Sequence, residues 1–157
     1  MKKIMLLLAS FVLVFTVAGC GKEKKEVIKI DEKALVEKIL GNEEAPMLQE
    51  ADEETLKNTF GLNPDDYESQ YTKFSLVNIS AINVSVVKAK EGKVEAIKAA
   101  LEKRSNEVKK SFEQYRIEPA YTTSKNGEVI VKDDYVILLM VEKKDEALKI
   151  IDETFSK

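Results

Sequence analysis

One unbroken apolar run near the end of the chain limits the architecture more than any other feature. The run extends from Tyr135 to Val141 and contains no charged residue. A strand that is buried on both faces reads as a continuous apolar segment, whereas a strand with one solvated face alternates. We therefore predict that residues 135–141 form an interior strand of a sheet that is covered on both sides.

Other segments carry the signals of further strands and tight turns. Residues 82–86 alternate between apolar and polar side chains, as expected of a half-buried strand. Asn126-Gly127 is typical of a hairpin turn, and residues 132–134 indicate a second tight connection. The predicted strands are 71–77, 80–89, 120–124, 128–132 and 135–141.

A long amphipathic helix is predicted between residues 93 and 115. Its apolar side chains recur at spacings of three, four or seven residues, from Val94 through Leu101 to Phe112. This spacing places them on one stripe of a helix, while Lys and Glu occupy the opposite face. Aspartates at positions 31, 52 and 145 are predicted N-caps of three shorter helices, and the segment 63–66 is predicted to start another.

The order of these elements predicts the fold class. Two helices precede a pair of strands, a long helix follows, and a second pair of strands leads into a last helix. This order favours an α+β domain in which helices pack on an antiparallel β-sheet. It also allows two strand–strand–helix units, at 70–115 and at 128–155.

The amino terminus has the pattern of an export signal. Lys2 and Lys3 precede an apolar run from Ile4 to Val17, and small residues follow it. A basic start, a short apolar stretch and small residues before a cleavage site are typical of a signal peptide. The run is too short for a membrane-spanning helix, which needs about 20 apolar residues.

The residues at the end of this signal predict a lipid anchor. Val17-Ala18-Gly19-Cys20 resembles the lipobox of bacterial lipoproteins, although lipoboxes more often have Leu where this chain has Val17. In lipoproteins the thiol of the cysteine receives a diacylglycerol, and the chain is cut directly before it. Two acyl chains hold a protein stably on a membrane, because each buried CH₂ contributes roughly 0.8 kcal/mol.

These signals divide the chain into three parts. We expect a lipoprotein signal peptide at 1–19, the lipidated Cys20 with a flexible tether at 20–30, and a single α+β domain at 31–157. Removal of 19 residues from 157 leaves 138, which is an ordinary size for one domain. The mature protein is expected on the extracytoplasmic face of the cell membrane.

The composition of the mature chain excludes much catalytic and metal chemistry. The sequence has no His and no Trp, and its one cysteine is the expected anchor. This composition leaves no thiol nucleophile, imidazole base, disulfide, or His or Cys metal site. Without Lys2 and Lys3, 23 basic residues stand against 28 acidic ones, and this balance argues against a nucleic-acid partner. We expect no catalytic residue and no cofactor.

Four residues are candidates for a ligand or partner surface: Arg104, Tyr67, Tyr71 and Tyr121. Arg104 interrupts the apolar stripe of the long helix. It could bind an anion at the edge of a pocket, or extend its charge to water beside the stripe. The tyrosines could line a groove, or be half-buried residues with a hydrated hydroxyl. The paired acidic residues fit helix caps and turns better than a metal site.

Three stretches of the chain are similar to one family of small Gram-positive lipoproteins. The family is catalogued as domain of unknown function 4358, and the likeness covers most of residues 33–155. It usually has an acid where this chain has Asn83. The resemblance implies a lipid-anchored, extracytoplasmic α+β domain and supplies no catalytic residues. The stretches that carry it are 61–67, 82–90 leading into 101–104, and 134–139.

These observations favour a non-enzymatic binding or accessory module at the cell envelope, with the membrane and an envelope protein as partners. A ligand-binding lipoprotein that serves a transporter is an alternative, although such receptors generally need two lobes and 138 residues are few for that. A hydrolase that uses two carboxylates is a third hypothesis. An apolar pocket with convergent polar groups would favour a small ligand, and a flat exposed apolar patch would favour a protein partner.

Overall fold

The computed structural model describes residues 28–44 and 47–156. The predicted signal peptide, with Val17, Ala18, Gly19 and the anchor Cys20, lies outside these residues, as does the first part of the tether. The described elements, in chain order, are α1 (Glu32–Leu40), β1 (Leu48–Glu50), α2 (Glu53–Asn58), β2 (Tyr67–Ser75), β3 (Asn83–Ala89), α3 (Val94–Tyr115), α4 (Ala120–Asn126), β4 (Glu128–Lys132), β5 (Tyr135–Met140) and α5 (Lys144–Phe155).

The strands form one antiparallel sheet in the order β1-β2-β3-β5-β4. Every residue of β5 is buried, and so is Val141, which follows it. β5 also lies between two other strands, so the prediction of an interior strand covered on both faces is confirmed. The α+β class predicted from the element order is confirmed as well.

Helices cover both faces of the sheet. Side chains of a strand point alternately to the two faces, so alternate residues of β5 belong to different apolar clusters. Ile137 and Leu139 pack with α1 and α5 on the first face. Val136 and Leu138 pack with α2 and α3 on the second face, and Met140 extends that face to α4.

The long helix forms as predicted, from Val94 to Tyr115. Burial of one large apolar side chain contributes roughly 1.5–3 kcal/mol relative to its exposure. The apolar stripe of α3 therefore stabilises its packing on the second face of the sheet. The buried residues of the stripe are Ile97, Leu101, Ser105, Val108 and Phe112.

Two strand–strand–helix units are present, β2-β3-α3 and β4-β5-α5. Their strands meet where β3 pairs with β5. Their helices lie on opposite faces of the sheet, because α3 packs in one apolar cluster and α5 in the other. If a two-fold axis between β3 and β5, perpendicular to the sheet, related the two units, both helices would lie on the same face. The two units are therefore not related by such an axis.

Two of the predicted N-caps are confirmed. Asp31 Oδ1 accepts a hydrogen bond from the backbone N–H of Ala34 at 2.9 Å, at the start of α1. Asp52 Oδ1 accepts one from the backbone N–H of Thr55 at 2.8 Å, at the start of α2. Each bond satisfies a backbone donor that has no partner inside its helix.

The third predicted N-cap, Asp145, is wrong. α5 begins at Lys144, and Asp145 lies inside its first turn. No side-chain hydrogen bond caps α5. The carboxylate of Glu43 instead fixes the chain just before the helix, because it accepts hydrogen bonds from the backbone N–H groups of Glu142 and Lys143 at 3.1 and 2.9 Å.

Residues 120–124 form the first part of helix α4, so the predicted strand there is wrong. The hydroxyls of Thr123 and Ser124 donate to backbone carbonyls four and three residues earlier, at 3.1 and 2.7 Å. These bonds satisfy the polar side chains within helical turns. The helix continues to Asn126, so the hairpin turn predicted at Asn126-Gly127 is also wrong.

The segment 63–66 is a turn, not the start of a helix as predicted. Asn63 Oδ1 accepts a hydrogen bond from the backbone N–H of Asp65 at 3.1 Å, and the chain enters β2 two residues later. The carbonyl of Asp66 accepts from the backbone N–H of Lys90 at 3.0 Å. Capping residues and acids occur both at helix starts and in turns. Here the pairing of β2 with β3 favours the turn over a helix start.

The described chain enters the fold at one end of the strands. The backbone N–H of Ile30 donates to the hydroxyl of Tyr135 at 3.2 Å. The hydroxyl of Ser69 donates to the carboxylate of Glu32 nearby. None of the helices in residues 28–44 and 47–156 is both long enough and apolar enough to cross a bilayer.

Candidate functional site

A groove between α3 and the β2–β3 connection is the candidate functional site, and we call it the Arg104 groove. Its volume is about 220 Å³. The helix forms one wall, and the connection with the adjoining strand ends forms the other. The lining residues are Arg104, Val108, Ser111, Phe112 and Tyr115 of α3, together with residues 75–78, Ser80 and Asn83.

Arg104 is the polar centre of this groove. Its Nε and Nη2 both donate to Asn83 Oδ1, at 3.2 and 3.1 Å. The guanidinium carbon lies 5.1 Å from the centroid of the Phe60 ring, so the ring covers one face of the cation. Asn83 is buried, and its Nδ2 donates to the carbonyl of Ala81 at 3.0 Å. These contacts hold the guanidinium in one orientation.

The positive charge of Arg104 is hydrogen-bonded but not neutralised. No carboxylate of the described residues forms an ion pair with it. Burial lowers the pKa of Arg104, and the more distant charge of Glu107 opposes that shift. Arginine stays protonated in proteins, and the amide of Asn83 is neutral. An anion that entered the groove would therefore meet a partly desolvated cation.

Local hydrogen bonds shape the connection that forms the second wall. The backbone N–H of Val77 donates to Ser75 Oγ at 3.3 Å, and that of Ile82 donates to Ser80 Oγ at 3.4 Å. The backbone N–H of Ser75 donates to the carbonyl of Ile82 at 2.9 Å and closes the connection. Serine hydroxyls stabilise turns by bonds of this kind. The connection therefore has a defined shape although it contains no regular element.

Exposed apolar side chains lie at the mouth of the groove. Leu76 and Tyr115 line opposite walls and are 55% and 70% exposed. Ile79 of the same connection is 55% exposed. Single exposed apolar residues are ordinary on a protein surface, but several around one groove offer an area that a ligand or partner can cover.

The Arg104 groove lies at the end of the sheet opposite to the point where the chain enters. Asn83, in the groove, pairs with Met140 across β3 and β5. At the other end of the same strands Lys88 pairs with Tyr135, which binds Ile30. The five residue steps from Asn83 to Lys88 correspond to about 17 Å of strand.

The structure does not bring the candidate tyrosines to this groove. Tyr67 is half-buried at the far end of β2, where it pairs with Ala89. Tyr71 is buried on the opposite face of the sheet, in the cluster that includes α1. Tyr121 belongs to α4 and packs against the cluster that contains Phe112. Of the four candidates, Arg104 is the one that lines the groove.

Tyr71 links α1 to the sheet through a polar contact. Its hydroxyl donates to Glu37 Oε1 at 2.9 Å, and the ammonium of Lys73 lies 2.8 Å from the same oxygen. The hydrogen bond from Lys73, followed by that from Tyr71, lowers the pKa of Glu37. Burial, followed by the bond to Glu37, raises the pKa of Tyr71. Glu37 of α1 thus binds Tyr71 and Lys73 of β2, and these contacts stabilise the packing of the helix on the strand.

Asn83 is a site residue that sequence reasoning missed. Its place in an alternating strand predicted a solvated side chain, whereas its exposed fraction is 2%. Two features together could have identified it: a polar residue on a strand, and an arginine on the apolar stripe of the covering helix. Neither feature alone identifies Asn83 as a site residue, because the sequence does not show which residues of α3 lie over β3.

A helix start or a turn, as predicted, contains the acidic clusters 52–54, 65–66 and 133–134, whereas Glu43-Glu44 lies in irregular chain after α1. Asp52 caps α2, and Asp133-Asp134 makes the tight connection between β4 and β5. Within residues 28–44 and 47–156, no group of three or more His, Cys, Asp or Glu side chains is arranged to hold a metal ion.

Comparison with known proteins identifies the family. The family model described as Domain of unknown function (DUF4358) matches residues 42–148, and the chain belongs to this family. The match confirms membership of this domain family, which the sequence resembled, and includes both walls of the Arg104 groove. No curated protein and no solved structure matches the chain.

Proposed function

We propose that this chain is a lipid-anchored binding module on the extracytoplasmic face of the cell membrane, without enzymatic activity. Cys20 carries the lipids in this proposal, and residues 20–30 tether the domain. The lipobox-like residues Val17, Ala18 and Gly19 support the anchor. The binding partner is an envelope protein that docks at the Arg104 groove.

The position of the Arg104 groove is the observation that carries the proposal. The chain enters the fold beside Tyr135, and the groove lies about 17 Å away at the other end of the strands. A domain tethered from its entry end can present the opposite end away from the membrane. The tether of residues 20–30 reaches at most about 35 Å when fully extended, so the groove stays within reach of other envelope proteins.

The chemistry of the groove favours binding over catalysis. One arginine, amides, hydroxyls and apolar side chains line it, and no carboxylate or lysine does. General acid–base catalysis uses a group that titrates near the working pH. Arginine does not lose its proton there, and amides do not titrate. Tyr115 is the one lining residue of a usual acid–base type, and its side chain is 70% exposed at the mouth, where water is not excluded. The groove is therefore suited to hold a polar or anionic group beside an apolar surface.

The size of the groove favours a protein partner over a solute that is passed to a transporter. Small-molecule sites usually have volumes of about 300–1,000 Å³ and enclose most of the ligand. The Arg104 groove has about 220 Å³ and is bordered by the exposed Leu76 and Tyr115. A larger partner can fill the groove and cover its apolar border together.

Metabolic labelling with an alkyne fatty acid tests the anchor. We expect the label on the wild-type protein and on Ser10→Ala, and none on Cys20→Ala. Ser10 lies within the apolar run of the signal, so the control changes that segment and keeps the thiol. A label on Cys20→Ala, or an unlabelled wild type, would show that Cys20 is not the lipidated residue.

Chemical crosslinking in intact cells tests the binding role. The protein is then purified, and its crosslinked partners are identified by mass spectrometry. We expect an envelope protein that is captured by the wild type and lost with Cys20→Ala. If the two strains give the same partners, or none, the proposal of an anchored binding module fails.

A further inference from the structure

We propose that the Arg104 groove binds the free carboxylate at the carboxyl terminus of a partner chain whose last side chains are apolar. This inference rests on the proposed function and names the chemical group that the module recognises. The free donors of Arg104, the apolar strip beside it and the small volume of the groove lead to it.

The guanidinium of Arg104 retains one pair of free donors. Arginine has five N–H donors in one plane. The side-on pair, on Nε and Nη2, is taken by Asn83 Oδ1. Each Nη carries two N–H groups, so a second pair remains at the end of the guanidinium. This end-on pair consists of one N–H of Nη1 and the other N–H of Nη2, and it makes no hydrogen bond within the described residues. Two parallel N–H donors match the two oxygens of a carboxylate.

Neighbouring side chains fix this pair of donors before a ligand arrives. Phe60 covers one face of the guanidinium, and the buried Asn83 sets its plane. A preorganised site loses little conformational freedom on binding. The absence of a described carboxylate partner means that a bound carboxylate would neutralise a partly buried charge, where Coulomb attraction is stronger than in water.

An apolar strip leads away from Arg104 along α3. Val108 and Phe112 follow Arg104 by four and eight residues, so the three side chains lie on one side of the helix. At 1.5 Å per residue the strip is about 12 Å long, which equals three to four residues of extended chain at roughly 3.3 Å each. Val108 and Phe112 are largely buried and form the floor of the groove. A carboxylate at Arg104 therefore places the last apolar side chains of a peptide on that floor, beside the exposed Leu76 and Tyr115.

The border of the groove favours the end of a protein chain over a free fatty acid. A free acid short enough to fit the strip leaves Leu76 and Tyr115 at the mouth uncovered, and a longer alkyl chain cannot hydrogen-bond the Asn78 amide in the lining. A protein whose last residues enter the groove continues past that mouth. Its preceding residues can then bury both side chains.

The test uses the lipidated mature chain in detergent micelles and two pools of hexapeptides. In both pools the last two positions are apolar, and the other four are randomised. One pool ends in a free carboxylate and the other in an amide. Equilibrium dialysis should show about 10- to 100-fold tighter binding of the acid pool, because the amide loses charge-assisted hydrogen bonds. Equal binding of the two pools would overturn the proposal.

Variants locate the effect at Arg104. Arg104→Gln should remove the preference for the acid pool, whereas Arg116→Gln, at the exposed second arginine, should keep it. Because Arg104 is partly buried, Leu76→Glu provides a second variant that changes an exposed position. Its negative charge should weaken binding of the acid pool more than that of the amide pool. A preference that survives both Arg104→Gln and Leu76→Glu would place the carboxylate elsewhere and refute the proposal.

Three outcomes distinguish failure of this inference from failure of the proposed function. Binding of decanoate without binding of the acid pool would identify a free fatty acid as the ligand and overturn the inference. If neither binds, but crosslinking in cells still captures a partner that is lost with Cys20→Ala, the inference fails and the binding module stands. If that partner is absent as well, both proposals fail.

Discussion

Replacement of Ser105 by alanine is predicted to stabilise the fold. Ser105 is 3% exposed on the apolar stripe of α3, and its Oγ is buried without a hydrogen-bond partner within the described residues. A buried hydroxyl without a partner costs about 1–3 kcal/mol. Alanine also favours a helix over serine by roughly 0.5 kcal/mol. We therefore expect Ser105→Ala to raise the free energy of unfolding by about 1.5–3.5 kcal/mol.

Ser111→Ala is the matched control for this prediction. Ser111 lies on the same helix but is exposed, and its Oγ donates to the carbonyl of Glu107 at 3.0 Å. The control therefore shares the gain in helix propensity without removing an unsatisfied hydroxyl. With a urea slope of about 2 kcal/mol/M, the unfolding midpoint of Ser105→Ala should rise by roughly 0.75–1.75 M. That of Ser111→Ala should change much less.

A midpoint of Ser105→Ala at or below that of the wild type would refute this reasoning. It would mean that Ser105 Oγ has a partner in solution. Ser105 lines a second groove of about 330 Å³ between α3 and the start of β4, beside Asn106 and Glu128. An ordered water there is the partner that such a result would indicate.

Two further changes test the polar link of α1 and the packing of β4. The lowered pKa of Glu37, held by Lys73 and Tyr71, contributes stability that is present above its ordinary pKa of 4.5 and is lost as the pH falls through the lowered value. Urea midpoints measured across acidic pH should therefore fall less steeply below about pH 4.5 for Glu37→Gln than for the wild type, and parallel curves would contradict this. A Cβ on Gly127 would lie 2.4 Å from Met140 Cε and 3.1 Å from its Cγ, so Gly127→Ala should lower the free energy of unfolding by about 1–3 kcal/mol. The loss should shrink in a Met140→Ala background in urea titrations, and a full loss there would show that the clash is not its cause.

The elements that the sequence predicted are those with a strong and uniform pattern. Residues 135–141 carry an unbroken apolar run, and α3 repeats its apolar stripe over 22 residues. Burial dominates the energy of both, so hydrophobic patterning alone identifies them. Asp31 and Asp52 were also predictable, because an N-cap acts within one turn of its own helix.

The elements that were missed depend on contacts with distant residues or on ambiguous local signals. α4 contains Thr and Ser, which favour strands or loops unless their hydroxyls bond back to the helix. The turn at 63–66 contains residue types that are common at helix starts, and the pairing of β2 with β3 determines its conformation. α5 begins without a side-chain cap, and Glu43 holds the residues before it from a distant loop, so no local pattern at α5 could reveal this contact.

The candidate site was predictable in part. Arg104 was identified because a charged residue on the apolar stripe of a helix is costly to bury unless it has a partner or a ligand. The three tyrosines were selected by residue type alone, and they lie in different parts of the fold. Asn83 acquires its role only when α3 crosses the start of β3, which depends on tertiary packing.

Site-specific photo-crosslinking in intact cells tests the central claim most directly, namely that the anchored domain binds a partner at the Arg104 groove. One photoreactive residue replaces Leu76 at the mouth of the groove, and a control replaces Val131, which is 40% exposed on β4. The account predicts a discrete crosslinked partner from position 76, none from position 131, and loss of the crosslink when Arg104→Gln is added. The same partner from both positions, or none from position 76, would contradict the account.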